Sequence, residues 1–276
     1  MTTKPLRGRP ALKLALLGLI GSLVAVGVGS RPSASAAADK GAGPKPTVVL
    51  VHGGWADASS WNAVVERLQD RGYPVVAPPN PLRGLQGDAA YLSSVLATIS
   101  GPIVLVGHSY GGTVMTDAAT GDPNVKALVY IAAFAPDVGD SIATLEAMNP
   151  GSQVGLSTLT LRPYPGGVDA YITPSVFHSV FCADVPTSTA AVMAATQRPI
   201  DAAVLAEPSG PPAWRTIPSW YLVASDDHAI PAATERFMAK RAGATTVEIS
   251  ASHVAMVSHP DTVTNLILDA ARAASR

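Results

Sequence analysis

Only one cysteine, Cys182, occurs in the chain. A single thiol cannot close an intrachain disulfide, and no cysteine-based zinc site can be built around it. No motif surrounds it, and an isolated cysteine is ordinarily a small buried hydrophobe. Charge is also scarce. Charged residues make up 14% of the chain, 19 basic against 20 acidic, for a net charge of −1. No basic stripe follows the N-terminal segment, which argues against nucleic acid as a partner. No repeat is visible at solenoid periods. What is present is 276 residues with 47% hydrophobic content, enough for one substantial core. Proline and glycine are frequent and spread out, as in a loop-rich globular protein rather than a disordered one.

The first forty residues differ from the rest. Lys4, Arg7, Arg9 and Lys13 make a positive start, Leu14 to Val28 is an apolar run, and "RPSASAAADK" offers small residues in Ala-x-Ala spacing. This is the three-part layout of a secretory signal peptide, with cleavage expected after Ala36 or Ala38. The apolar run is shorter than the ~20 residues of a spanning helix, so no stable membrane span is expected after cleavage. The expected division is a signal peptide over 1–38, a flexible leader over 39–46 and a single main domain over 47–276. The expected location is secreted.

From residue 46 the pattern alternates. "PTVVLVHGGW" reads as an apolar strand ending in a glycine turn, and "DASSWNAVVERLQDRG" as a helix capped by Asp57 or Ser59 and stopped at Gly72. "YPVVAPPN" is a short strand, and "GDAAYLSSVLATIS" a helix with Asp88 as its expected cap. "GPIVLVGHS" is a strand running straight into the helix "YGGTVMTDAATGD", and "VKALVYIAAFAP" is a fourth strand. Strands apolar along their length, alternating with helices, indicate a parallel sheet covered on both faces. From about 137 to 212 the rhythm breaks, with recurrent prolines and glycines between short helical pieces such as "TSTAAVMAATQ". It then returns as strand, helix, strand and closing helix. The interruption reads as a cap inserted after the fourth strand.

"GHSYG", Gly107 to Gly111, matches Gly-x-Ser-x-Gly between an apolar strand and a helix. Glycines there let the chain turn sharply and project the hydroxyl of Ser109 above the sheet, which marks it as the candidate nucleophile. The backbone N–H of Tyr110 is then placed to stabilise an oxyanion. A serine needs a base, and in this arrangement the acid and the histidine follow it in chain order, each just after a late strand. "YLVASDDHAIP" supplies the acid. Asp227 is preferred because Asp-x-x-Ile-Pro spaces it from the next helix; Asp226 is the alternative, with turn-capping as its other role. "VEISASHVAM" supplies His253 as the base, and His259 reads as the start of the closing helix. His108 is expected to support the turn, and His178 and His228 to lie on the surface or cap. "VHGGW" supplies the second oxyanion donor, assigned to Gly54, with His52 bracing the loop. Phe134, Met148, Phe177, Trp214 and Met256 lie in or beside the cap region or catalytic loops. Each could line an apolar substrate pocket or simply pack the cap on the core.

"HGGW", "GHSYGG", "ASDDHAIP" and "SHVAMVSHP", in this order and spacing, resemble the α/β-hydrolase superfamily over nearly all of residues 47–272. Within it, "HGGWADASSW" is similar to the first loop of the small cap-domain branch that includes plant methylesterases and hydroxynitrile lyases. The resemblance implies an α/β-hydrolase fold, with a mostly parallel doubly wound sheet and a helical cap. It also implies two-step acyl transfer on a small to medium apolar ester, with no metal and no organic cofactor. The lyases of that branch use a lysine beside the catalytic histidine. "ISASHVAMVSHP" has none, which places the chain on the esterase side. The alternatives are lyase or other acyl chemistry on the same fold, or a hydrolase-like binding protein with little turnover. Nothing in the sequence fixes the oligomeric state.

Overall fold

The computed structural model describes residues 45–275. The signal-peptide segment and most of the expected leader lie outside the described residues. The chain begins with strand β1 (Thr47–Val51), helix α1 (Asn62–Asp70), the short strand β2 (Val75–Val76) and helix α2 (Leu85–Leu96). Strand β3 (Ile103–Ser109), helix α3 (Tyr110–Ala118) and strand β4 (Val125–Ala133) follow. The insertion carries α4 (Ile142–Glu146), β5 (Leu159–Tyr164), β6 (Gly167–Ile172), α5 (Pro174–Phe181), α6 (Thr187–Thr196) and β7 (Ile200–Asp201). The core resumes with β8 (Ser219–Ala224), α7 (Ala232–Arg241), β9 (Thr245–Ile249), the single turn α8 (Ala255–Ser258) and α9 (Pro260–Ala274).

Six strands form one sheet in the order β2-β1-β3-β4-β8-β9, and every pairing is parallel. This is the expected α/β-hydrolase fold. All seven residues of β3 are buried and β4 is buried except at Lys126, because helices cover both faces. One group pairs α1 with α9, the other α2 with α3. The chain leaves β1 to one side and returns to the other side with β3. Such a reversal opens a crevice at the carboxyl ends of the strands, where ligands bind in open α/β sheets.

Local signals explain the element ends. Asp57 accepts the amide of Ser59 at 2.7 Å and caps a short 3₁₀ turn that leads into α1. Gly72, at φ +70°, closes α1, where the amide of Tyr73 bonds the carbonyl of Leu68 and that of Gly72 bonds Gln69. Asp88 does not cap α2. The helix begins at Leu85, and Asp88 is buried within its first turns, where it accepts the amide of Arg83 and the hydroxyl of Tyr110.

The insertion holds helices and also a three-stranded antiparallel sheet, β5-β6-β7, that the sequence did not announce. Its hairpin turns at Pro165-Gly166, with Tyr164 paired to Gly167 and Pro163 to Val168. A proline inside a strand removes a ladder donor, so it is tolerated only on an edge such as β5.

Candidate active site

Ser109 ends β3 with φ +53° and ψ −127°, a region that L-residues rarely occupy. The β3–β4 register slips between His108 and Ser109, and opposite the slip Ala132 also has a positive φ, of +43°. The turn fits only because its neighbours lack side chains. A Cβ on Gly107 would lie 2.7 Å from the carbonyl oxygen of Gly111, and one on Gly111 would lie 2.4 Å from that of Val51. Helix α3 is thereby pressed against β1 and β3, and the hydroxyl of Ser109 is carried at the end of the strand.

The loop after β1 meets this turn. A Cβ on Gly53 would fall 2.6 Å from the Cβ of Ser109 and 3.1 Å from its Oγ. Among the described residues the amide of Gly54 has no partner, while that of Trp55 donates to the Arg198 carbonyl at 2.8 Å. Tyr110 is the first residue of α3, so its amide has no acceptor within the helix. His52 braces the loop as expected. Its Nε2 accepts the amide of Asn80 at 2.9 Å, so its Nδ1 donates to the Gly53 carbonyl, and burial lowers its pKa and keeps it neutral.

Asp227 and His253 follow β8 and β9. His253 Nδ1 lies 2.5 Å from Asp227 Oδ2, with both side chains fully buried. The other oxygen, Oδ1, accepts the amides of Ala229 and Ile230 at 2.6 and 2.9 Å. With Nδ1 donating to the carboxylate, Nε2 of His253 is left as an acceptor, and it has no partner. No hydrogen bond joins it to the Ser109 hydroxyl in this state; such bonds commonly tighten only when substrate is bound. His108, next to Ser109, donates from Nε2 to the carbonyl of His253 at 2.9 Å, and its ring lies 4.7 Å from that of His253. His108 thus ties the elbow to the histidine loop. Burial holds its pKa well below the ordinary value. Asp226 points away from His253, its carboxylate accepting the hydroxyl of Ser250 after β9 rather than capping its own turn.

A narrow cavity opens above Ser109, walled by Tyr110, Phe134, Ile142, Ile200 and Leu205 among others. In this state scarcely a single water fits in it. Of the five side chains read as pocket candidates, Phe134 lies in this wall. Phe177 and Met256 are fully buried, Met148 is 47% exposed, and Trp214 bonds the Pro136 carbonyl through Nε1 at 2.8 Å. Cys182 is buried, and burial pushes its thiol up to about 12.

Three acidic residues near the site carried no motif. Asp184, from the insertion, accepts the amide of Ser252 at 3.0 Å and also its hydroxyl, holding the residue before His253. Glu235 is fully buried in α7 and accepts the amide of Ala224 at 3.1 Å, and burial and the Asp227 carboxylate push it well above the usual carboxylate range. Glu146, at the end of α4, lines the cavity. The proline after Asp-x-x-Ile was the only hint that α7 starts beside the acid, and nothing in "IATLEAMNP" marked Glu146.

A sequence model of the alpha/beta hydrolase family matches residues 48–266. An alpha/beta hydrolase of Aspergillus novofumigatus is 26% identical over 248 residues, covering 82% of this chain and 97% of that protein. A pyrethroid hydrolase of Sphingobium wenxiniae is 28% identical over 257 residues, covering 82% and 88%. Among solved structures, polyneuridine aldehyde esterase superposes with a TM-score of 0.69 at 22% identity, covering 82% of this chain and 98% of the other.

Proposed function

The chain belongs to the alpha/beta hydrolase family, and on that premise we propose that it is a secreted serine hydrolase cleaving carboxylic esters through Ser109, His253 and Asp227. The observation that carries the reading is the fully buried 2.5 Å pairing of His253 Nδ1 with Asp227, which leaves Nε2 unpartnered at the same end of the sheet as the strained serine turn.

The chemistry follows from those groups. Asp227 fixes the tautomer of His253 and stabilises its cation. Nε2 takes the proton of the Ser109 hydroxyl as Oγ attacks the ester carbonyl. The amides of Tyr110 and Gly54 hold the oxyanion of the tetrahedral intermediate. His253 returns the proton to the departing alcohol, leaving an acyl group on Ser109. Water, activated by the same imidazole, then releases the acid. The wall of Phe134, Ile142, Ile200 and Leu205 supports an apolar acyl or alcohol portion of small to medium size. Secretion rests on the signal-peptide layout of residues 1–38, and sequencing the N-terminus of protein recovered from culture medium checks it.

A chromogenic short-chain ester assay tests the activity. Wild type is expected to turn over the ester and to be labelled by a fluorophosphonate. Ser109→Ala should lose both while keeping its thermal midpoint, with turnover down by roughly a million-fold if the triad acts as a unit. Turnover unchanged in Ser109→Ala would refute the assignment.

A further inference from the structure

The mechanism above leaves one carboxyl in the cavity wall unused. Glu146 faces the same narrow space as Ser109, from the insertion side. Its neighbours in that wall are mostly apolar, and apart from the Ser109 hydroxyl and the Gly54 and Tyr110 amides the polar atoms among them are engaged. Trp55 Nε1 donates to the Ala170 carbonyl at 2.8 Å, and the hydroxyl of Tyr110 donates to Asp88 at 2.8 Å. Glu146 has no hydrogen-bond partner among the described residues. Asp227 is the charged group acting on it from the core, and it offers repulsion rather than a partner. Burial and that carboxylate push Glu146 up to about 8, so the group is neutral through most of the physiological range. The Glu146 carboxyl is only partly covered and still meets solvent. A substrate that displaces water from it without offering a hydrogen bond in exchange loses affinity.

We infer that Glu146 is a specificity-determining residue that recognises an uncharged hydrogen-bonding group, a hydroxyl or an amide, on the part of the ester lying beneath the insertion. The inference rests on the ester-hydrolase reading and narrows its substrate class. Plain hydrocarbon esters leave Glu146 unpaired, and a site built with a polar group discriminates against ligands that cannot reach it. A fixed cation is disfavoured by desolvation in the apolar wall, and an anion by Asp227.

The test compares methyl esters of straight-chain acids of increasing length with the same esters carrying a terminal hydroxyl or a terminal ammonium group. Wild type should prefer the hydroxy ester at one chain length by about tenfold in kcat/KM, the worth of one neutral hydrogen bond in a desolvated site. Glu146→Leu should abolish or invert that preference, chiefly through KM, while hydrolysing the plain ester at least as well. Glu146→Gln, which keeps a hydrogen-bonding group, should retain the preference. A hydroxy-to-plain ratio that Glu146→Leu leaves unchanged overturns the inference, even if all rates fall together. So does a wild-type preference for the ammonium ester. Either result leaves the hydrolase reading standing if turnover still depends on Ser109. Absence of any Ser109-dependent turnover sinks the hydrolase reading itself.

Discussion

At the scale of single residues, the decisive fact is how the two oxygens of Asp227 are used. Oδ1 already accepts two backbone amides, from Ala229 and Ile230, so only Oδ2 is left for His253. In Asp227→Asn the remaining carbonyl oxygen must stay with the two amides. The new NH₂ then faces Nδ1 of His253 and forces it to act as an acceptor. The ring proton moves to Nε2, and the base is lost without any change of shape. The expected result is a drop in kcat of roughly 10,000-fold with the melting temperature nearly unchanged, measured by ester turnover and calorimetry. Asp226→Asn, whose carboxylate serves only the Ser250 hydroxyl, should leave turnover within a few-fold of wild type. The choice between the adjacent aspartates was open in the sequence because both follow β8. Which of the two meets His253 is set by the direction in which each side chain leaves the turn.

Between elements, the site depends on how closely α3 sits against β1 and β3. The Gly-x-Ser-x-Gly pattern was legible as a turn, yet the reason for its second glycine is a contact with another strand. In Gly111→Ala the new methyl meets the carbonyl oxygens of Val51 and His52 at 2.4 and 2.9 Å, and these belong to backbone that cannot rotate away. We expect a loss of about 3 kcal/mol or more in urea unfolding, with an accompanying loss of activity as β1 and its Gly53–Gly54 loop are pushed off Ser109. The insertion is coupled to the site by equally specific links. Asp184 grips Ser252 beside His253, and the strand pair β6-β7 sets Ile200 against Gly54. None of these partners is near in sequence, and an aspartate in "FCADVP" has no local signature.

For the molecule as a whole, the pH dependence of stability follows from where protons are held. An unfolded chain releases the proton of Glu146 near 4.5, whereas the folded chain keeps it to about 8. Between those values the folded state binds more protons, so this residue makes stability fall as pH rises. Glu146→Gln removes the effect. The variant should gain on wild type steadily as pH rises from 5 to 9, read from urea midpoints at both values. His52 and His108 act in the opposite sense, since burial lowers both. Stability they contribute is present above the ordinary histidine value of 6.5 and is lost as pH falls below it. An advantage of Glu146→Gln that stayed constant from pH 5 to pH 9 would contradict the burial of that carboxyl.

The sheet, its parallel sense, the helix stop at Gly72, the helix start at Pro260, and the roles open to Ser109 and His253 were written in local pattern. Apolar runs, glycine turns and chain order are properties of neighbouring residues, and neighbours are what a sequence displays. Tertiary structure alone decided which aspartate faces the histidine, that Asp88 also takes the Tyr110 hydroxyl, and that a proline-bearing hairpin sits in the insertion. It also placed Glu146 in the cavity wall without a partner. Each of these depends on a contact made across the fold, where geometry and burial assign a side chain its partner or leave it with none.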